Sequence, residues 1–154
     1  LNDNIKLLSE IDKSILIEFK KNKDKILFNC DKEQISRVFF NLIKNSIESI
    51  HQKFEKNPNF TKKISIEIFH NNDHIQFILV DNGIGFEQFK NKIKDILNPY
   101  FTTKKNGTGL GLSIVNKIIN DHNGELNFYS ISNGAKIEIN FKIINGNWNF
   151  NRWR

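Results

Sequence analysis

Methionine is absent from this 154-residue chain, cysteine occurs once and proline twice. The single cysteine, Cys30, excludes an internal disulfide and suits a reducing compartment; it reads as a small core or strand-edge residue rather than a reactive thiol. No apolar run approaches the roughly 20 residues needed to cross a bilayer, and no secretory signal opens the chain. The missing methionine and the start at Leu1 predict a piece of a longer protein, whose other domains and any membrane segment lie outside this sequence. Arginine-rich, aromatic-interleaved stripes are missing too. The net charge of +6 comes from 23 basic against 17 acidic residues, but the lysines are spread along the chain. That argues against a nucleic-acid partner and for a generally basic surface that suits a small anion. The length fits one domain with one core. Asn, Ile, Lys and Phe are abundant, as in a genome-wide bias, so surface Asn and Lys carry little information.

Ile5, Leu8 and Ile11 recur at helical spacing and predict a short helix over 1–11, or the end of a longer one entering from upstream. Ser14 to Phe19 reads as a strand, Lys20 to Asp24 as a polar turn and Ile26 to Phe28 as a second strand. Asp31 reads as an N-cap, with Gln34 completing a capping box. The helix that follows is the best defined. Ile35, Val38, Phe39, Leu42, Ile43, Ile47 and Ile50 form its apolar face; Gln34, Arg37, Asn41, Asn45, Glu48 and Gln52 form a polar stripe. It gives way near Asn57-Pro58-Asn59. Ile64 to Ile68 alternates, Asn71 to Asp73 is turn chemistry, and Ile75 to Val80 returns as a hairpin strand that delivers Asp81 at its end. Phe86 to Leu97 predicts a helix, Asn98 to Asn106 a loop, and Thr108 to His122 a helix ended by Asn123-Gly124. Glu125 to Ile131 and Lys136 to Ile143 make a second hairpin through Ser132-Asn133-Gly134. The tail over 145–154, with Trp148 and Trp153, shows no pattern; a docked extension and a disordered end both stay open.

Three elements carry chemistry. Asn41 and Asn45 lie one turn apart on the polar stripe. An amide oxygen is a hard neutral ligand that can complete a Mg²⁺ shell otherwise filled by phosphate and water, and Asn41 can hold a metal-bound water. Two solvated amides in an Asn-rich chain are the alternative. Asp81-Asn82-Gly83-Ile84-Gly85 ends a strand, where a carboxylate can accept from the exocyclic amine of adenine and glycines allow close backbone approach; a plain hairpin exit is the alternative. Gly107-Thr108-Gly109-Leu110-Gly111-Leu112 opens a helix, so N–H groups and the helix dipole can meet phosphates. A dinucleotide-binding fold would place such a turn after the first strand of a βαβ unit, and a P-loop would continue Gly-Lys-Ser/Thr; neither holds here.

In this order the segments resemble the four boxes of the catalytic, ATP-binding domain of sensor histidine kinases, within the superfamily shared with gyrase, Hsp90 and MutL. The N box is Asn41 to Ile50, the first G box Asp81 to Phe86, the F box Pro99 to Lys104 and the second G box Gly107 to Val115. The resemblance runs from about Ile11 to Ile144 and implies a two-layer α/β sandwich of the Bergerat type, a mixed sheet covered on one face by three main helices. It implies three regions: a linker end over 1–11, a catalytic domain over 12–144 and a tail over 145–154.

The resemblance also implies roles. Asn45 would be the Mg²⁺ ligand, supported by Asn41. Asp81 would read adenine, with Gly83 and Gly85 shaping the base pocket. Phe101 would anchor a lid over 98–106, from which Lys104 or Lys105 would approach the phosphates or stay solvated. Gly107 and Thr108 would join the phosphate site, where Gly109, Leu110 and Gly111 offer backbone donors. Hydrolysing members of the superfamily resemble each other in a glutamate at the position of Asn41. An amide is a poor base at neutral pH, so the expectation is transfer of the γ-phosphoryl group rather than hydrolysis.

The acceptor would be a histidine on a separate dimerisation domain of the same protein, with a response regulator downstream. The full-length protein is expected to be a homodimer anchored in the inner membrane, and this fragment a cytoplasmic monomer. His51, His70, His74 and His122 lie outside any acceptor motif and read as surface or turn residues. The rivals are a regulatory nucleotide-binding module without phosphotransfer and a superfamily ATPase. Two departures stand out. Glu48 occupies a position that is often basic, where it would meet the acceptor histidine or simply be solvated; this is similar to the nitrogen-regulation sensor kinases. Ala135 and Lys136 follow Gly134 where many relatives carry a hydroxyl, so a water-mediated base contact is in doubt.

Overall fold

The computed structural model describes residues 1–23, 29–89, 95–102 and 107–143. Five strands form one mixed sheet in the order β1-β2-β3-β5-β4. They are β1 (Leu16–Lys21), β2 (Lys63–His70), β3 (His74–Asp81), β4 (Gly124–Ile131) and β5 (Gly134–Lys142), joined with the helices α1 (Asn2–Ser9), α2 (Lys32–Lys56) and α3 (Gly111–Asp121). β1 and β2 run parallel and every other pair antiparallel. A parallel pair needs a long crossover, and α2 supplies it.

Strand periodicity decides which face is buried. Phe19, Ile66, Leu79, Ile137 and Phe128 are register partners across the five strands, and all point to the face that α2 and α3 cover. There they share one core with Val38, Leu42, Ile43 and Ile47 of α2 and Val115 and Ile119 of α3. The opposite face carries the ion pairs Lys63–Glu18, Lys20–Glu67 and Lys136–Glu138. These pairs, from half-buried to exposed, leave a polar face that needs no second helical layer, and the exposed ones add little stability. The sandwich is therefore two-layered as expected, with two long helices and a short α1 rather than three main helices. No helix among the described residues is long and apolar enough to cross a membrane.

Local chemistry sets the element ends. Asp31 caps α2, its Oδ1 accepting from the N–H groups of Glu33 (2.9 Å) and Gln34 (3.0 Å). The return arm of the capping box differs from expectation: Gln34 Nε2–H donates to the Asp31 carboxylate (2.9 Å). The Asp31 N–H instead donates to His122 Nε2 (3.1 Å), while His122 Nδ1–H donates to Ile118 O (2.8 Å). His122 thus joins the start of α2 to the end of α3 and is no simple surface residue. His51 pairs with Asp12 (2.9 Å), whose other partner Lys62 (2.8 Å) helps hold its carboxyl well below the usual range. Leu8 is fully buried, and Asn4 Nδ2–H donates to Ser36 O (2.8 Å), so α1 is packed on α2.

Several expected boundaries move. The first strand starts at Leu16 and runs through Lys21, because Ser14 is held in a turn by Asp12 (N–H to Oδ1, 2.8 Å). Ile11 is 58% exposed rather than on the apolar side of α1. The helix expected over 86–97 shows as two 3₁₀ turns, Glu87–Phe89 and Asp95–Leu97, with 90–94 outside the described residues. The strand expected over 26–28, Lys104, Lys105 and the tail also lie outside them. α3 begins at Gly111 rather than Thr108, since Gly109 sits at φ +66° and cannot continue a right-handed helix. The end of α3 at Asn123-Gly124 stands as expected, with Asn123 in the left-handed conformation at φ +55°. Gly134 belongs to β5, leaving Ser132-Asn133 as a two-residue hairpin loop.

Candidate functional site

Asp81 shares the strand parity of Phe77 and Leu79, so it projects from the helix-covered face of β3, where it is 3% exposed. A buried carboxylate requires donors. Ser46 of α2, itself 2% exposed, donates its hydroxyl to Oδ2 (2.9 Å), and the Gly83 N–H donates to Oδ1 (2.9 Å). Burial pushes the carboxyl up to about 6; the Gly83 and Ser46 donors and the positive charge of Lys53 oppose that rise. Asn82 fixes the turn beyond: its Oδ1 accepts from the Lys63 N–H (2.9 Å), its Nδ2–H donates to Thr61 O (2.7 Å), and its carbonyl accepts from Lys53 Nζ (2.8 Å).

Glycine is required here by close approach. A Cβ on Gly134 (φ +142°) would fall 1.9 Å from Asp81 O, and one on Gly85 would fall 2.4 Å from Gly134 O. The strand exit carrying Asp81 is thus clamped by the first residue of β5. Gly83, expected to shape the base pocket, faces elsewhere: a Cβ there would meet Ser49 Oγ at 2.2 Å and Ile50 N at 2.8 Å. It lets the turn press against α2 and does not line the cavity described next.

That cavity has a volume of about 440 Å³, within the range of small-molecule sites. Asn41, Lys44, Asn45, Glu48 and Gln52 give α2's wall, and Asp81, Gly85 and Ala135 the sheet's. Ile96, Leu112, Ile137, Phe86 and Phe89 give it an apolar lining, and Phe101, 5.6 Å from Phe89 in an edge-to-face contact, adds to it. Gly107, Thr108, Gly109 and Gly111 bring the start of α3 to the same cavity, while Leu110 caps the helix without lining it. Orphan N–H groups at a helix start carry partial positive charge and favour an anion.

Asn41 donates its Nδ2–H to Arg37 O (2.8 Å), which leaves Oδ1 as the free-facing end. That oxygen lies 3.2 Å from where a Cβ on Gly111 would stand, so it is turned toward the start of α3. Among the described residues no cluster of three or more His, Cys, Asp or Glu side chains can hold a metal. Two amide oxygens fit a hard cation that draws most of its ligands from phosphate and water, and do not fit one held by protein alone.

Of the residues expected from the sequence, the cavity gathers Asn41, Asn45, Glu48, Asp81, Gly85, Phe101, Gly107, Thr108, Gly109 and Gly111. Gly83 and Leu110 stand behind it, and Lys104 lies outside the described residues. Lys44, Ser46 and Ser49 also line it and were not anticipated. Helical spacing from Asn41 and Asn45 would have found Lys44 and Ser49; nothing local marks Ser46.

Comparison with known proteins gives a consistent result. The profile of the family described as histidine kinase-, DNA gyrase B-, and HSP90-like ATPase matches residues 30–144. A protein of Rickettsia felis described as an NtrY-like sensor histidine kinase is 36% identical over 139 residues, covering 90% of this chain and 21% of the relative. Sporulation kinase C of Bacillus subtilis is 36% identical over 110 residues, covering 71% of this chain and 23% of that protein. The chain thus spans about a fifth of the length of the curated relatives it matches. The nucleotide-free catalytic domain of the histidine kinase ThkA superimposes with a TM-score of 0.72 at 27% identity, covering 92% of this chain and 91% of that one. Full-length ShkA, solved with AMPPNP, shares the fold with a TM-score of 0.73 at 16% identity, covering 91% of this chain and 28% of that one.

Proposed function

The chain belongs to the histidine kinase-, DNA gyrase B- and HSP90-like ATPase family, as the ATP-binding domain that sensor histidine kinases carry, and from that premise we propose that it binds Mg-ATP in the cavity between α2, the sheet and α3 and passes the γ-phosphoryl group to a histidine on a separate helical domain. The observation that carries this reading is that one cavity gathers two kinds of group. The buried Asp81, fixed by Ser46 and Gly83, lines it together with apolar side chains suited to adenine. The amides of Asn41 and Asn45 and the start of α3 line it too, and suit a polyphosphate.

Each residue has a role in this scheme. Asp81 accepts from the 6-amino group of adenine, where guanine presents a carbonyl oxygen, so it selects the base. Gly109 and Gly111, at the start of α3, hold phosphates through backbone donors. Asn45, assisted by Asn41, would hold Mg²⁺; the ion would neutralise charge on the phosphates during transfer. Asn41 cannot take a proton at neutral pH, so the cavity has no base there to activate water, which favours transfer over hydrolysis. The rest is positioning. The acceptor domain makes the homodimer of the full-length protein, which we place at the inner membrane with this domain in the cytoplasm, and a response regulator receives the phosphoryl group. The basic surface lacks the clustering a nucleic-acid partner would need.

Calorimetric titration with a non-hydrolysable ATP analogue, with and without Mg²⁺ and against GTP, tests the cavity. Saturable, adenine-selective, Mg²⁺-assisted binding is expected. Transfer to a separately supplied acceptor domain, with no multiple-turnover phosphate release, then separates the kinase from a regulatory module and from an ATPase.

A further inference from the structure

Lys44 is the only cation among the described residues that line the cavity, where the acidic side chains are Glu48 and Asp81. It stands on α2 one turn after Asn41 and, with Asn41 and Asn45, lines the cavity. Its Nζ lies 3.9 Å from Glu48 Oε1, and the two side chains are 52% and 34% exposed. A pair that long and that open is a weak one, so the ammonium is held near Glu48 without being locked there. Side chains on a helix lean toward its N-terminus. Once released, the lysine stem therefore leans toward the level of Asn41, whose oxygen faces the start of α3 at Gly111. The Asp81 carboxylate is buried and held by Ser46, whereas Lys44 is partly exposed and stands one turn from Asn41, whose oxygen faces the helix start.

We propose that Lys44 is a polyphosphate-binding residue of this site, exchanging Glu48 for a phosphate oxygen when nucleotide enters, with Glu48 as the counter-charge that weakens binding of metal-free nucleotide. The inference rests on the nucleotide reading above and adds to it which side chain meets the phosphates.

The test compares adenosine, ADP and ATP without Mg²⁺ at low ionic strength, on the unaltered chain and on Lys44→Met, Lys44→Arg and Glu48→Gln. Lys44 and Glu48 are partly exposed, so the variants should fold. Lys44→Met should weaken ADP and ATP by about tenfold and leave adenosine unchanged, the scale of one partly screened charge contact. Lys44→Arg should restore binding, and Glu48→Gln should strengthen ADP and ATP but not adenosine. All these differences should shrink as salt is added. Equal weakening of adenosine and ATP by Lys44→Met would assign the residue to packing and overturn the proposal, as would an unchanged ratio of the two affinities. If the unaltered chain binds adenosine and ATP, either failure touches Lys44 alone; if it binds neither, the nucleotide reading falls and this inference with it.

Discussion

Lowering the pH should switch off base recognition through a single group, Asp81. Its carboxyl is pushed up to about 6 by burial. Only the ionised form accepts from adenine's amine with both oxygens available, since Ser46 and Gly83 already donate to it. With that midpoint roughly nine-tenths of the molecules are competent at pH 7 and about one-tenth at pH 5, so adenosine affinity should fall about tenfold across that interval. Adenosine is the ligand to use, because the terminal phosphates of ADP and ATP titrate in the same range. Asp81→Asn should bind adenosine poorly and show no such dependence. The same shift acts on folding, with a fixed sign. The carboxyl holds its proton more tightly folded than unfolded, so its contribution favours the fold most below the ordinary value of 3.8 and is lost as pH rises through about 6. At pH 7 the ionised group costs about 3 kcal/mol, from two units at 1.36 kcal/mol each. Asp81→Asn relieves that cost but faces an amide N–H toward the Ser46 or Gly83 donor. The variant should therefore be no less stable than the unaltered chain at pH 7, with a gain between zero and about 3 kcal/mol in urea unfolding. Adenosine affinity that stays flat from pH 5 to 8, or that falls equally in Asp81→Asn, would refute the reasoning.

Three further perturbations follow from the packing and the site. Gly134→Ala would drive a methyl group into Asp81 O and strain a backbone at φ +142°; a loss of about 3 kcal/mol or more is expected in thermal melts, with adenosine binding abolished in whatever remains folded. Asp31→Ala removes the cap of α2 and should cost about 1 kcal/mol, or about 2–4 °C of Tm for a domain of this size, with nucleotide affinity unchanged at saturating fold. Asn45→Ala should erase the increase in ATP affinity that Mg²⁺ confers while leaving Mg²⁺-free binding near its original value; an undiminished Mg²⁺ effect would remove Asn45 as the ligand.

The chain's own residues, read in order, determined the local devices. Asp31 and Gln34 mark the start of α2, its isoleucine and leucine spacing marks the buried face, and the alternating isoleucines of β2 and β3 deliver Asp81 at a strand end on the covered side. The order of asparagine stripe, acidic turn and glycine turn also carried the family, because each motif needs only contiguous residues to state its chemistry. Fixed periods and caps are short-range physics, and sequence records them directly. Tertiary structure alone decided what those devices meet. Ser46 donates to Asp81 across 35 positions. Gly134 clamps the Asp81 carbonyl, and the left-handed turn at Gly109, packed against Tyr100, delays α3 until Gly111. His122 joins two helices end to end. Lys44 becomes a cavity wall only because α3 and the sheet close around α2. Burial, and with it the dielectric that lifts Asp81 toward neutrality, is a property of surfaces brought together from distant parts of the chain, and no contiguous stretch of residues contains it.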